Sequence, residues 1–231
     1  MPAGRVCYSI RVVSILEAPE PLDPGAMPRN EYLKASPPMF RASWLDRITR
    51  VHVSVVPAIF VPVILVFAVY ALREIAIPEF LGWLLAGYLT WTLTEYWLHR
   101  IVFHFEPEHP VGRRIHWMIH GVHHDHPNDP MRLVMPPSAS IPLGLIFVLL
   151  FEALLPFAQA CALLSGFFAG YLAYDMTHYY VHHRRPKGPI GRKLRELHMR
   201  HHFQDHERGY GVSAPWWDRV FGTAPTARDD E

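Results

Sequence analysis

Four long apolar runs alternate along this chain with polar, charged stretches. A helix needs about 20 largely apolar residues to cross the hydrocarbon of a bilayer. Val51–Leu72 and Phe80–Leu98 make a first pair of such runs. Ala139–Phe157 and Ala158–Tyr180 make a second pair, with almost no loop between them near Pro156. Pro57 and Pro62 are tolerable as kinks where neighbouring helices satisfy the freed carbonyls. The pattern predicts an all-α integral membrane protein with four transmembrane helices in two hairpins. Ahead of the first run, Phe40, Trp44, Leu45 and Ile48 recur at helical spacing, with Arg41, Arg47 and Arg50 elsewhere on the turn. That arrangement suits a helix lying in the membrane interface.

Charge gives the orientation. Of 22 Lys and Arg residues, only Arg73 falls between the first and second runs, and none falls between the third and fourth. The positive-inside bias therefore places both termini and the middle loop on the cytosolic face, in a bacterial inner membrane or the endoplasmic reticulum. The first 36 residues carry Pro2, Pro19, Pro21, Pro24 and Pro28 without sustained periodicity and read as mobile. Within them, Val6–Leu16 is interrupted by Arg11 and lacks a small-residue cleavage site, which makes a poor signal peptide. Met27 is left open as an alternative start. The expected division is a mobile segment 1–36, a membrane-embedded domain 37–223 and a tail 224–231.

At 231 residues, half of them hydrophobic, the chain is long enough for one compact unit. A net charge of +1 with no block of like charges argues against a nucleic-acid partner. Cys7 and Cys161 are too far apart for CxxC chemistry, so a disulfide framework or thiolate metal site is not expected.

The chemistry is carried by histidine. Fifteen of the sixteen histidines follow position 98, and ten of them form four clusters. These are His99 and His104 (HxxxxH), His120, His123 and His124 (HxxHH), His178 and His182 (HxxxH), and His198, His201 and His202 (HxxHH again). Positions i, i+3 and i+4 share one face of a helix, so three of the clusters are single-sided. His99 and His104 stand roughly 140° apart on a regular helix and converge only where it ends or bends. The predicted topology brings all four clusters to the cytosolic face. Six imidazoles saturate an octahedral ion, so ten point to two metal ions.

Imidazole suits iron, zinc, copper and nickel alike. The one Glu-x-x-His, Glu106 to His109, lies outside the four clusters, whereas carboxylate-bridged di-iron bundles carry that motif on each of two helices, and HExxH is absent. A histidine-rich dinuclear site at a membrane surface is suited to a substrate dissolved in the lipid, and attack on an unactivated C–H bond favours iron with O2. Two acids are spaced to receive the outer N–H of a ligand ring: Glu95, four before His99, and Asp175, three before His178. His116 shares the face of His120 and stays open as a ligand. His183 points away from His182 and stays open too. His126 and His206 are expected to orient ligands, His52 and His109 to be incidental, and Glu152 has no assigned part.

The flanking residues resemble the fatty acid hydroxylase superfamily, and within it the fatty acid 2-hydroxylase branch. His120-Gly121-Val122-His123-His124 continues to Arg132-Leu133-Val134 and Pro136-Pro137. Tyr174–Tyr179 resembles the motif of the fourth span. Leu197–Phe203, Gly209–Val212, Trp217-Asp218 and Phe221–Thr223 resemble the C-terminal signature, so the likeness covers roughly residues 37 to 223. The resemblance implies four transmembrane helices with a cytosolic helical cap holding a histidine-rich dinuclear metal site, and that the ten clustered histidines are the metal ligands. It also implies O2-dependent hydroxylation of carbon 2 in a long acyl chain, free or within a ceramide-type lipid. Iron is the implied working metal, and zinc is compatible with a structure of such a site. The first 40 residues contain no histidine and are too few for the cytochrome b5 domain of many members, so a separate donor, cytochrome b5-like or ferredoxin-like, is expected. The alternatives are a sterol or carotenoid hydroxylase or desaturase of the same superfamily, or, in a different class, a metal transport or storage protein. Acyl length, headgroup, donor identity, oligomeric state and the division of ligands between the ions stay open.

Overall fold

The computed structural model of the chain describes residues 22–225. Cys7, the Val6–Leu16 stretch, the rest of residues 1–21 and residues 226–231 of the expected tail lie outside the described residues. The fold is all-helical, and no strand occurs among the described residues. Short helices α1 (Arg29–Tyr32) and α2 (Ser43–Ile48) lead into α3 (Val55–Glu74) and α4 (Ile77–Trp97). A π-helical turn, Leu98–Phe103, follows, then α5 (Pro110–His116), a second π-helical turn at Trp117–Gly121, and α6 (Val122–Asp125). The long helices α7 (Pro137–Leu154) and α8 (Phe157–His183) make the second hairpin, and α9 (Pro189–Phe203) and α10 (Trp216–Val220) complete the fold.

Three of these helices, α3, α7 and α8, are long and apolar enough to cross a membrane. The 21-residue α4 is of matching length but carries Thr90, Thr92, Thr94 and Glu95 near its end. These residues, with Pro78 and Glu79 at its start, lower its apolarity. The boundaries follow local chemistry. Proline occupies the first turn of α4, α7 and α8's preceding cap, where a missing N–H costs nothing. Pro62 and Pro142 are accommodated inside α3 and α7.

Helix α8 is the axis of the bundle. Two thirds of its apolar window (67%) is buried, against 17% for α3 and 11% for α7, so those two turn most of their surface outward. Val66 and Leu149 are each 68% exposed, as side chains facing lipid would be. Against α8 the closest partner is α4. A Cβ added at Gly87 would fall on the Leu163 carbonyl, and one at Gly166 on the Leu84 carbonyl. Small residues at these points let the two backbones touch, the usual basis of tight helix packing in membranes. Phe60, Trp91, Phe167, Phe168 and Tyr171 fill the space around this contact with tilted and edge-on rings.

Within the segment expected to be mobile, Tyr32, Leu33 and Ser36 make contacts with the rest of the fold. Asn128 N–H donates to the Leu33 carbonyl at 2.9 Å and His126 Nδ1 to the Tyr32 carbonyl at 2.6 Å. Arg50 grips Ser36, while the buried Arg132 bonds the Pro37 carbonyl and pairs with Asp46 at 2.7 Å. The short helix α2 leaves Trp44 65% and Ile48 48% exposed, consistent with the amphipathic spacing.

Candidate metal centre

Helices α4 and α8 both run toward the same end of the bundle, and the histidine clusters begin where they finish. At the end of α4 the backbone widens into the π-helical turn, where His104 N–H bonds the His99 carbonyl at 3.1 Å. Bonding of i to i+5 sets residues five apart over one another. The HxxxxH pair is therefore convergent, although on an α-helix it would not be. His178 and His182, four apart in regular α-helix, close the last turns of α8.

All ten clustered histidines come together, in two sets of five. The first set is His99, His104, His120, His124 and His201, and the second is His123, His178, His182, His198 and His202. Within each set one ring nitrogen per residue lies within 4.8 Å of all the others. Each HxxHH motif is divided. His120 and His124 join the first set and His123 the second, whereas His198 and His202 join the second and His201 the first. The two motifs thus exchange their central histidines. The sets adjoin, with the His124 and His202 rings stacked at 4.3 Å between centroids.

The nitrogens suit a cation. In the first set, Nε2 of His99 lies 3.2 Å from Nε2 of both His104 and His120, and His124 Nε2 lies 3.1 Å from His120 Nε2. In the second, the corresponding separations are 3.0 Å for His178 and His123, 2.8 Å for His182 and His198, and 3.1 Å for His202 and His198. Metal–imidazole bonds of about 2.1 Å give neighbouring donors about 3.0 Å apart at right angles and about 3.4 Å apart in a tetrahedron. The observed spacings match the right-angled case. His201 carries the clearest sign. Its Nδ1 donates to the Arg208 carbonyl at 2.8 Å, and its Nε2 is buried with no hydrogen-bond partner while facing four other imidazoles.

Burial, followed by the neighbouring rings, pushes the pKa of His99, His120, His123, His198 and His202 well below the ordinary histidine value. The same causes bring His104 and His124 down to about 2, and burial brings His201 to about 4. These rings are neutral at pH 7 and offer lone pairs, as metal binding requires.

The outer supports differ from expectation. His99 Nδ1 donates to the Tyr210 carbonyl at 2.7 Å, not to Glu95. Glu95 instead accepts from the Ser213 N–H at 2.7 Å and from the Ser213 hydroxyl. Asp175 accepts from the Met135 N–H at 3.4 Å and the Tyr171 hydroxyl at 3.3 Å, and not from His178. Both carboxylates are taken up by other donors, and for His99 the C-terminal loop brings a backbone carbonyl to Nδ1 instead.

That loop is itself organised by Asp218, whose positioning part the motif alone does not disclose. Buried, it accepts from the N–H groups of Tyr210 (2.8 Å) and Gly211 (2.9 Å) and from Thr223 Oγ1 (2.9 Å). Thr223 in turn bonds Tyr96 Oη at 2.9 Å, fastening the loop to the end of α4. Gly209 enters the loop at φ +81°, a conformation natural to glycine.

The undecided histidines also find places. His116 Nε2 bonds the Phe103 carbonyl at 2.6 Å and stands outside both sets. His183 lies outside them too, its ring 4.4 Å from that of Tyr179. His206 stacks at 6.4 Å on His104, and His52 and His109 make local turn contacts with Ser54 and Val111. Glu152 is an exposed residue of α7.

An apolar cavity of about 380 Å³ reaches the centre from the side. Leu143, Ala139 and Met135 line it, and His120, His123 and His178 stand in its wall. It thus meets rings of both sets. Tyr174 and Asp175 belong to the same wall, beside His178.

A membrane-embedded bundle that gathers neutral imidazoles at one end and opens an apolar cavity onto them has the organisation of a lipid-modifying oxidoreductase. Residues 84–223 match the family model for fatty acid hydroxylase, and the chain belongs to that family. It is 40% identical over 191 residues to a dihydroceramide fatty acyl 2-hydroxylase of Arabidopsis thaliana, covering 82% of this chain and 80% of the relative. It is 38% identical to the ceramide very long chain fatty acid hydroxylase of Saccharomyces cerevisiae, covering 83% of this chain and 50% of the relative. Among solved structures it resembles full-length scs7p, of which only the hydroxylase domain is visible, with TM-score 0.79, 37% identity, and coverage of 84% of this chain and 74% of that one.

Proposed function

We propose that this chain hydroxylates carbon 2 of a long acyl chain, free or within a ceramide-type lipid, at a dinuclear iron centre. The observation that carries the reading is the apolar cavity in whose wall stand His120 of the first set and His123 and His178 of the second. Its volume lies within the roughly 300–1,000 Å³ usual for ligand sites. Relatives named dihydroceramide fatty acyl 2-hydroxylase and fatty acid 2-hydroxylase support the same chemistry.

In this reading the two sets of five histidines hold one ion each. When bound, the ions supply the redox chemistry that lets O2 attack a C–H bond. The protein contributes orientation and dryness. Leu143, Met135 and Val134 guide the acyl chain and keep water from its methylenes. Carbon 2 adjoins the acyl carbonyl, so the polar head of the substrate must lie at the inner end of the cavity. Tyr174 and Asp175 offer that carbonyl polar neighbours beside His178. The Tyr210 and Arg208 carbonyls hold the His99 and His201 rings in the tautomer that turns Nε2 inward.

The domain responsible spans residues 37–223, and α4 acts as the fourth span. Its glycine-mediated contact with α8 supports that role, since a helix touching the buried axis of the bundle shares its depth. Both termini and the metal centre are then cytosolic. The test is expression in cells supplied with a saturated fatty acid, with acyl lipids analysed by mass spectrometry. 2-Hydroxy products are expected, and a yield no greater than that of a His198→Ala, His202→Ala double variant would overturn the reading. Loss of two hydrogens instead of gain of one oxygen would assign a desaturase.

A further inference from the structure

Hydroxylation of this kind places one atom of O2 in the C–H bond and releases the other as water. That balance takes up two electrons and two protons per turnover. Imidazoles hold metal but store no electrons, so a reductant must approach the centre. The outer side of α9 carries the feature suited to it. Its inner side supplies His198, His201 and His202, while its outer side forms an open groove of about 660 Å³ lined by Arg185, Arg192, Arg195, Met199, Arg200 and Phe203. Residues 184–203 include seven Lys or Arg against one acid, Glu196. Glu196 is already engaged by Lys193 at 3.3 Å and Arg200 at 2.7 Å. Phe203, 46% exposed, gives this charged surface an apolar contact point.

We infer that this groove is the docking face for a small acidic one-electron redox protein, an inference that rests on the hydroxylase reading above. Charge of one sign around a small apolar spot steers a partner and lets it leave again, which suits a transient electron-transfer contact. Such contacts bury comparatively little surface. The groove is separated from three of the imidazoles by the thickness of one helix, about 10 Å.

Its height above the membrane favours a protein over a lipid surface. The 27 residues of α8 extend about 40 Å at 1.5 Å each, whereas the hydrocarbon core is about 30 Å thick. With Phe157 at the far edge of the hydrocarbon, the end of α8 stands about 10 Å clear of the near edge. Arg185 and the groove lie just beyond that end.

The experiment uses the full chain in phosphatidylcholine nanodiscs, with the soluble cytochrome b5 domain and a plant-type ferredoxin as acidic probes. Binding at low salt is expected for at least one probe, weakening at higher ionic strength as charges are screened. The Arg185→Glu, Arg192→Glu variant should bind at least tenfold more weakly and reoxidise the reduced probe correspondingly more slowly. Arg185→Lys with Arg192→Lys should retain binding. Lys34→Glu with Arg219→Glu, an equal change of net charge elsewhere, should leave it intact. Metal content and circular dichroism establish that each variant is folded. Binding by neither probe, or binding indifferent to the reversal in the groove, would overturn the inference. So would a reversal that abolishes attachment to phosphatidylserine vesicles while sparing the redox protein, which would make the groove a lipid contact. Probe binding is read directly, so failure to form a 2-hydroxy product would count against the hydroxylase reading and not against the docking face.

Discussion

His201 and His202 are neighbours in the chain but belong to different sets, while His124 and His201 are 77 positions apart and belong to the same one. Two double variants exploit this. His201→Ala with His202→Ala removes one donor from each set, and His124→Ala with His201→Ala removes two from the first and none from the second. Metal-binding free energies of about 10–16 kcal/mol, divided over five donors, give about 2–3 kcal/mol per imidazole. At about 1.4 kcal/mol per decade, one lost donor weakens a site by about 30- to 150-fold, and two by about 10³- to 10⁴-fold. The assay is metal bound per chain, measured by atomic emission across a series of chelator-buffered free-metal concentrations. The neighbouring pair should shift both ions together, with no site left at the original affinity. The distant pair should leave one ion per chain at the original affinity and drive the other out of range. If the distant pair loses both ions, or the neighbouring pair keeps one unshifted, the crossed division of the ligands is wrong.

Acid should empty the centre. The folded pKa of the ligand rings is depressed below the unfolded value of about 6.5, so the unfolded chain binds protons first as pH falls. Stability and metal are retained above about pH 6.5 and lost as pH falls toward the His201 value of about 4; metal retained through dialysis at pH 4 would contradict this. Leu143→Trp narrows the apolar cavity and should cut 2-hydroxylation of a long acyl substrate about tenfold, a barrier change of about 1.4 kcal/mol, with metal content unchanged. Equal activity would exclude the cavity as the acyl route. Asp218→Ala strands the Tyr210 and Gly211 N–H groups, costing about 1–3 kcal/mol for each buried group. Metal affinity of the first set should fall about 10- to 100-fold through the loosened Tyr210 carbonyl, with the second set unaffected, as followed by the same chelator series.

Where local pattern decides, the chain is readable in advance. The helices α3, α7 and α8 lie within a few residues of the apolar runs, because lipid exposure demands continuous apolarity. The α4 helix also lies close to its run, yet it keeps Thr92 for Trp217 and Glu95 for Ser213, and its polar residues leave it less apolar than the others. The ten histidines are legible as one array for the same local reason, since spacing of three and four marks a helix face. Which set each joins is not legible. An i, i+3, i+4 triplet gives a common face, and the division within it is made by partners arriving from other helices. His99 and His104 converge through a π-helical turn that no residue spacing announces. Glu95 and Asp175 are spaced to support ligands, but both bond other donors, and the acceptors for His99 and His201 are backbone carbonyls, which have no side-chain signature. His116 meets such a carbonyl too, and that contact separates it from the ligand-like His120 on the same face.

The crossed motifs also explain why the tightest packing in the bundle falls between α4 and α8. His99 and His104 hang the first set on the end of α4, and His178 and His182 hang the second on the end of α8. The interval between the sets therefore depends on how these two helices are held, and Gly87 and Gly166 hold them with backbone against backbone. The HxxHH motifs act as two ties across that interval. In each, consecutive histidines, 123 and 124 or 201 and 202, reach into opposite sets, and their Cα atoms can be only about 3.8 Å apart. A sliding of α4 against α8 would have to pull neighbouring residues in opposite directions on both ties at once. The spacing of the two histidine sets is thus fixed by helix contact and by peptide geometry together, independently of the length of any loop. His120, His123 and His178 in the cavity wall belong to this same framework, so an acyl chain entering the cavity as proposed would meet rings whose spacing the helix contact sets.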